Sequence, residues 1–266
     1  MKCHAIFSVN VSATILNVLD MKELEGFWQV KVTFDLRWID SRLQMQNLKE
    51  NDNLNVLADE ERSSIWFPEI VFGNNDNVER MVLDAKGVLI VRKEGEGEAS
   101  AEYDIISAEV FEGFENPFFY SRTYSTKFEC DYQLQSYPFD TQECTMDLDV
   151  PSSQRAKVEV RGQNISYTGM LDLPQFTVTK TAVTSINRRT VFVMTFKRKI
   201  AYHVISVYLP SMTIFIISLV TLFVHIKHIE ATIMVHLTAM LVMYTLFQAI
   251  SVSLPKVKTS YVTLQD

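Results

Sequence analysis

The sequence lacks any excess of basic residues: 25 lysines and arginines stand against 32 aspartates and glutamates, a formal net charge of −7. That balance excludes a chain organised around a basic stripe for nucleic acid. The sequence also lacks a glycine loop that cradles phosphate, an H-E-x-x-H helix and a nucleophile elbow, so neither an enzymatic centre nor a cofactor is expected. No internal repeat is present, and the one biased segment, Lys93 to Glu98, reads as a solvated hairpin tip. A secretory leader is missing as well: MKCHAIFSVNVSATIL has a short apolar patch broken by Asn10 and Ser12, and it reads as a strand. The expectation is therefore that the true amino terminus precedes this sequence.

What is present is unevenly distributed. Nearly all acidic residues precede Asp172, and from Ile200 onward the chain is mostly apolar. Two apolar runs, about 200–224 and about 231–254, are each long enough for a membrane helix. At 1.5 Å per residue the first would reach roughly 37 Å, against a hydrocarbon core of about 30 Å. The bland alternative is a pair of buried helices in a soluble protein, but such helices rarely stay uncharged for so long. Flanking charge (Lys197, Arg198 and Lys199 against Lys227 in the connecting turn) would place the large domain inside the cell. Two glycosylation sequons, at Asn10 and Asn164, and a spaced cysteine pair argue for the outside.

Residues 1–196 read as all-β. In Trp28 to Trp38 apolar side chains alternate with polar ones, the period of a half-buried antiparallel strand. Shorter runs follow at Val88 to Arg92, Thr123 to Tyr132, Glu143 to Asp149, Lys157 to Arg161, Phe176 to Ala182 and Thr190 to Lys197, separated by turn signals. Many short strands at such spacing predict an immunoglobulin-like sandwich. Residues 197–266 then form an α-helical transmembrane hairpin.

Cys130 and Cys144 bracket CDYQLQSYPFDTQEC. On spacing alone this is an ordinary structural disulfide of a secreted domain. In context the segment resembles the signature loop of the Cys-loop receptors, the pentameric ligand-gated ion channels. Trp38-Ile39-Asp40-Ser41-Arg42-Leu43 is similar to that family's W-x-D-x-R-L, and Ile65-Trp66-Phe67-Pro68-Glu69 to its I-W-x-P-D. Lys197-Arg198-Lys199 precedes the first helix, Pro210 lies inside it, and Ser253-Leu254-Pro255-Lys256-Val257 follows the second. These motifs in this order extend the resemblance over essentially the whole chain.

The resemblance implies five subunits, as a homo- or heteropentamer in the plasma membrane, around a pore lined by each second helix. The residues agree with such a lining. Glu230, Met234, Thr238, Leu241, Thr245, Gln248 and Val252 follow steps of three and four and share one helix face. Their Glu, Thr and Gln suit a wet lumen, and a ring of Leu241 side chains would close it by dewetting. The alternative is a stripe facing neighbouring helices. Family analogy also assigns coupling between ligand and pore to Glu23 and Glu25, to Tyr137, Pro138 and Asp140 in the disulfide loop, and to Arg198 and Lys256.

The expected partners are a small extracellular ligand, permeant ions and the membrane. Relatives that bind amine transmitters cage the cation in aromatic side chains. Here Gly73, the VPSSQR segment after Asp149, and the VTSINRRT hairpin supply none, and Phe34 alone is a candidate ligand-binding residue, although its place in the alternation also suits core packing. His225 and His228, near Glu230, have a zinc-compatible spacing, but such residues are more often simply solvated at a helix end, and no metal site is assigned. Five Glu230 carboxylates would favour cations. Against this, Ala231 and Leu254-Pro255-Lys256-Val257 resemble an arthropod group of glycine/GABA-like subunits that includes chloride channels, and chloride is favoured on that resemblance. A second reading is a non-conducting assembly partner, because the sequence stops shortly after the second apolar run. Cys3 has no evident mate.

Overall fold

The structure is a computed structural model that describes residues 7–75, 83, 86–99, 109–186, 188–224 and 229–253. Strands β1 (Phe7–Lys22) and β2 (Phe27–Trp38) form an antiparallel ribbon closed by a tight turn, where Gly26 at φ 73° takes a conformation that side chains disfavour. Its amide donates to the Lys22 carbonyl at 2.9 Å. β2 shows the expected alternation: Trp28, Val30, Val32, Phe34, Leu36 and Trp38 are all buried.

The remaining strands are β3 (Gln44–Gln46), β4 (Val71–Phe72), β5 (Val88–Val91), β6 (Glu98–Ala99), β7 (Glu109–Glu112), β8 (Phe118–Glu129), β9 (Thr141–Asp149), β10 (Val158–Tyr167), β11 (Phe176–Ile186) and β12 (Arg189–Arg198). Two sheets, β10-β1-β2-β8-β5 and β11-β12-β9-β4, pack face to face, and β3-β7-β6 makes a small third sheet. Aromatic rings fill the space between the large sheets. Trp28 meets Phe128 and Phe196 at 6.4 and 5.7 Å between centroids, and Phe34 meets Phe72 and Phe192 at 5.6 and 6.2 Å. Most strands run longer than the apolar runs alone predict, most of all β10 and β11. β1 pairs with β10 in parallel across most of the chain's length, a pairing that no local pattern announces.

The W-x-D-x-R-L segment is a clasp. Asp40, wholly buried, accepts from Arg42 Nε at 2.8 Å, from its Nη2 at 2.6 Å and from its amide at 3.1 Å. The Arg42 hydrogen bond outweighs burial and holds the Asp40 carboxyl below the usual carboxylate range.

β12 leads directly into the apolar segment: α2 (Ile200–His203), a π-helical turn at Val204–Tyr208, and α3 (Leu209–Thr221). Pro210 has no amide to give, and the wide turn just before it accommodates that missing bond. After α1 (Asp59–Ser64) in the sandwich and these segments, the last helix is α4 (Ile229–Ser253), which packs along α3. Neither apolar span has a buried residue in its most apolar window, unlike the core helices of a soluble domain. Cys3, His225, His228 and Leu254 to Val257 lie outside the described residues.

Candidate functional site

The end of the sandwich that meets α2 carries a closed ionic cluster centred on Arg198, the last residue of β12. β12 alternates, so Phe192, Met194, Phe196 and Arg198 all turn inward, and the sequence thereby drives a guanidinium into the core. The side chains of Arg198 and Asp140 are each 2% exposed. Arg198 Nε and Nη2 donate to the two oxygens of Asp140 at 2.6 and 2.9 Å, the bidentate geometry that a guanidinium and a carboxylate share. Its Nη1 donates to Glu23 at 2.7 Å, and its amide to the Asp140 carbonyl at 3.2 Å. The rings of Tyr137 and Phe176 lie 4.7 and 4.6 Å from the guanidinium carbon. Burial works against the charge, but the hydrogen bonds that Arg198 donates to Asp140 and Glu23 hold its pKa above its ordinary value.

The disulfide loop presents Asp140 to that cluster. Cys130 and Cys144 are bonded, with Cα atoms 4.9 Å apart, at the start of the loop and within β9. The Tyr137–Pro138 peptide is cis, Tyr137 is buried, and Phe139 is more than half exposed at the tip. Tyr132 ties the loop to the β1–β2 turn by donating to the Phe27 carbonyl at 3.1 Å, and burial, with Glu23 nearby, pushes its phenol pKa well up. Of the expected coupling residues, Glu23, Tyr137, Asp140 and Arg198 come together. Pro138 contributes the cis peptide of the loop, and Glu25 pairs with Lys22 at 3.2 Å. Lys256 lies outside the described residues. Two members, Phe176 and Gln142, were not singled out from the sequence. Gln142 is two residues from Asp140 on an alternating strand, which was the available signal.

Phe34 requires a correction. It is wholly buried between the sheets, against Phe72, Tyr124 and Phe192, and presents nothing to a ligand at the surface. The alternation of β2 demands this, since Phe34 shares its face with both tryptophans.

The β11–β12 hairpin tip and the turn after β9 carry charged side chains. Arg155 and Arg189 donate to the same Asp149 oxygen at 2.6 and 3.2 Å, and Arg188 bonds the Arg155 carbonyl. Asp147 lies 3.9 Å from Arg189, and burial pushes its carboxyl pKa up, Arg189 opposing. Ala or any larger residue at Gly73 would press on Asp147, because a Cβ there would lie 3.2 Å from the Asp147 Cβ. Asn10 and Asn164 sit on the neighbouring strands β1 and β10 of one sheet, Asn164 exposed and Asn10 accepting from Gln163 at 3.0 Å.

On α4 all seven stripe residues, Glu230, Met234, Thr238, Leu241, Thr245, Gln248 and Val252, are exposed in the single chain. Thr238 and Thr245 turn their hydroxyls back to the Met234 and Val242 carbonyls, both at 2.8 Å. Met234 and Thr238 also border a groove shared with Ile214 and Ile217 of α3.

Comparison with known proteins agrees with this architecture. The sequence model of the neurotransmitter-gated ion-channel ligand binding domain matches residues 2–107 and 118–210. The chain is 24% identical over 274 residues to a glutamate-gated chloride channel subunit beta of Haemonchus contortus, covering 97% of this chain and 58% of that protein. It is 24% identical over 262 residues to a glutamate-gated chloride channel of Drosophila melanogaster (94% and 52%), and 25% over 265 residues to a gamma-aminobutyric acid receptor subunit beta-4 of Gallus gallus (94% and 49%). The chain spans about half the length of the curated relatives it matches. With most of its sandwich matched by the family model, and with the bonded Cys130–Cys144 loop in place, this chain belongs to the neurotransmitter-gated ion-channel family.

Proposed function

We propose that the chain is a subunit of a pentameric ligand-gated channel in the plasma membrane. Residues 1–196 form its extracellular sensing domain, and residues 197–266 belong to its membrane domain. The observation that carries this reading is the Arg198 cluster. The residue two positions before the first apolar helix is locked, through one side chain, to the disulfide loop and to the β1–β2 turn. Any twist of the sandwich that moves either loop is therefore delivered to α2 without a flexible step. The α4 stripe supplies the pore lining, with Leu241 as its constriction and Glu230 at one mouth.

The ligand is a small molecule taken under the β11–β12 hairpin, and it is recognised by polar and charged groups in place of an aromatic cage. Relatives named as glutamate- and γ-aminobutyric-acid-gated support an amino-acid ligand and chloride permeation. Glu230 opposes chloride on charge alone, so permeation is the point to measure. The test is expression of the full-length subunit in oocytes, exposed to amino-acid transmitters, zinc and acid, with reversal potentials read before and after replacement of external chloride. A reversal potential that follows chloride supports the reading. Surface-delivered receptor that stays silent to every ligand, or reversal that follows sodium, counts against it.

A further inference from the structure

Asp140 and Glu23 both neutralise Arg198, but the structure holds them very differently. Asp140 sits on a braced segment. Its two oxygens take two guanidinium hydrogen bonds, its carbonyl takes the Arg198 amide, and its Oδ2 also accepts from Gln142 Nε2. Gln142 is itself wholly buried, and its amide clamps the backbone across the disulfide loop. Its Oε1 accepts from the Gln133 amide at 2.8 Å, and its Nε2 donates to the Gln133 carbonyl at 2.9 Å. Every hydrogen-bonding atom of this side chain is thus committed, and the disulfide closes the same loop two residues further on. Glu23 has one guanidinium bond, keeps 12% of its side chain exposed, and stands in the turn between β1 and β2.

We propose that Gln142 is a positioning residue that fixes Asp140 as the permanent arm of the Arg198 cluster and leaves Glu23 as the arm that separates when the sandwich moves. Gln142 touches neither ligand nor ion; it acts through Asp140. The side chain's donor and acceptor have different duties. The acceptor oxygen holds only the Gln133 amide, whereas the donor nitrogen holds both the Asp140 carboxylate and the Gln133 carbonyl. Glutamate at this position keeps an acceptor for the Gln133 amide, but it has no donor and sets a like charge beside Asp140. Methionine keeps the volume and loses both duties.

Amide hydrogen exchange on the full-length chain in detergent micelles separates these roles. The Arg198 amide reports on Asp140, whose carbonyl it bonds, and the Gln133 amide reports on the loop clamp. Gln142→Glu is expected to speed exchange at Arg198 by about tenfold or more and at Gln133 by clearly less, because the Gln133 amide keeps its acceptor although its carbonyl loses a donor. Gln142→Met is expected to speed both, and Glu23→Gln neither. The gating part rests on the channel reading above. In surface-delivered receptors Gln142→Glu and Asp140→Asn should shift the activation midpoint non-additively, whereas Gln142→Glu and Glu23→Gln should add. The proposal is overturned by an unchanged Arg198 exchange rate in Gln142→Glu, by equal acceleration in Glu23→Gln, or by failure of both Gln142 variants to fold, which would leave the residue a folding role alone. Wild-type receptor at the surface that never conducts would remove the channel reading, while the exchange result would still decide the role of Gln142.

Discussion

Arg198 and Asp140 are 58 residues apart in sequence, yet they share two hydrogen bonds of 2.6 and 2.9 Å inside a site that excludes nearly all solvent. Truncating either partner would leave a buried charge without its counter-ion, a change that costs about 3–5 kcal/mol in well-studied cases. Arg198→Ala is accordingly expected to lower the ectodomain's unfolding free energy by about that amount. Arg198→Lys keeps the charge but not the fork. It should reach the cell surface and gate poorly, with its activation curve moved to higher ligand concentration. Normal currents at normal surface density in Arg198→Lys would sink the assignment of this cluster to coupling.

The Asp40–Arg42 clasp makes an acid-stability prediction. Asp40 titrates below its ordinary value in the folded chain, first because of the Arg42 side-chain hydrogen bond, with burial opposing. A carboxylate with a depressed folded pKa stabilises the fold above its unfolded pKa of about 3.9, and that contribution is lost as pH falls through the folded value. Asp40→Asn should therefore lower the midpoint of thermal unfolding near pH 7 and flatten its decline below about pH 4. Equal acid slopes in the two proteins would remove the clasp from the account.

Asp147 predicts the opposite sign. Burial raises its pKa, and the negative charge of Asp149 adds to the shift, against Arg189 and a Thr145 hydrogen bond. A carboxyl whose folded pKa is raised binds its proton more tightly when folded, so stability falls as pH rises through that window. Asp147→Asn should leave stability at pH 7 unchanged or raise it, and the difference from wild type should vanish in acid. Denaturant titrations at pH 4 and pH 7 suffice. A destabilised Asp147→Asn at neutral pH would mean that the 3.9 Å approach of Arg189 outweighs desolvation.

Removal of the disulfide tests how far the loop is held by its side chains alone. On the loop-entropy account a closure of this length contributes about 3 kcal/mol. Cys130→Ser with Cys144→Ser should lower stability by about that amount. The internal Gln142–Gln133 clamp should still leave a slow Gln133 amide in the folded fraction. Exchange at Gln133 as fast as in an open chain would show that the covalent bond, and not the glutamine, orders the loop.

The residues disclosed these features unequally. The alternation in β2, the two apolar helices and the Cys130–Cys144 spacing are local patterns, and each appears in the structure as a local object. The Arg198 cluster was legible through family resemblance, because its members come from residues 23, 137–140 and 198, which no periodicity joins. Phe176 stayed hidden for the same reason, and Gln142 carries only one local signal, its place two residues from Asp140 on an alternating strand. Phe34 is where analogy and periodicity point in different directions, and burial follows periodicity. The even spacing from Trp28 to Trp38 already consigns Phe34 to the core. The parallel pairing of β1 with β10 depends on register between segments roughly 150 residues apart, and propensity carries no register.

On α4, exposure in the single chain does not choose between faces. Ile233, Leu237, Met240 and Tyr244 are as open as Thr238, Leu241 and Thr245. Chemistry separates them. The first set is apolar apart from one phenol and suits lipid or a neighbouring helix, whereas the second continues to Gln248 and begins at Glu230, a polar face ending in a charge that suits contact with water. Thr238 and Thr245 already bond carbonyls of their own helix, so neither hydroxyl needs a partner across an interface. Cysteines placed singly at 238, 241, 245 and 248 should react with a charged, water-soluble thiol reagent in assembled receptor, and those at 233, 237 and 240 should not. Protection of the first set, or equal labelling of both, would place the polar face against protein and remove the pore from this helix.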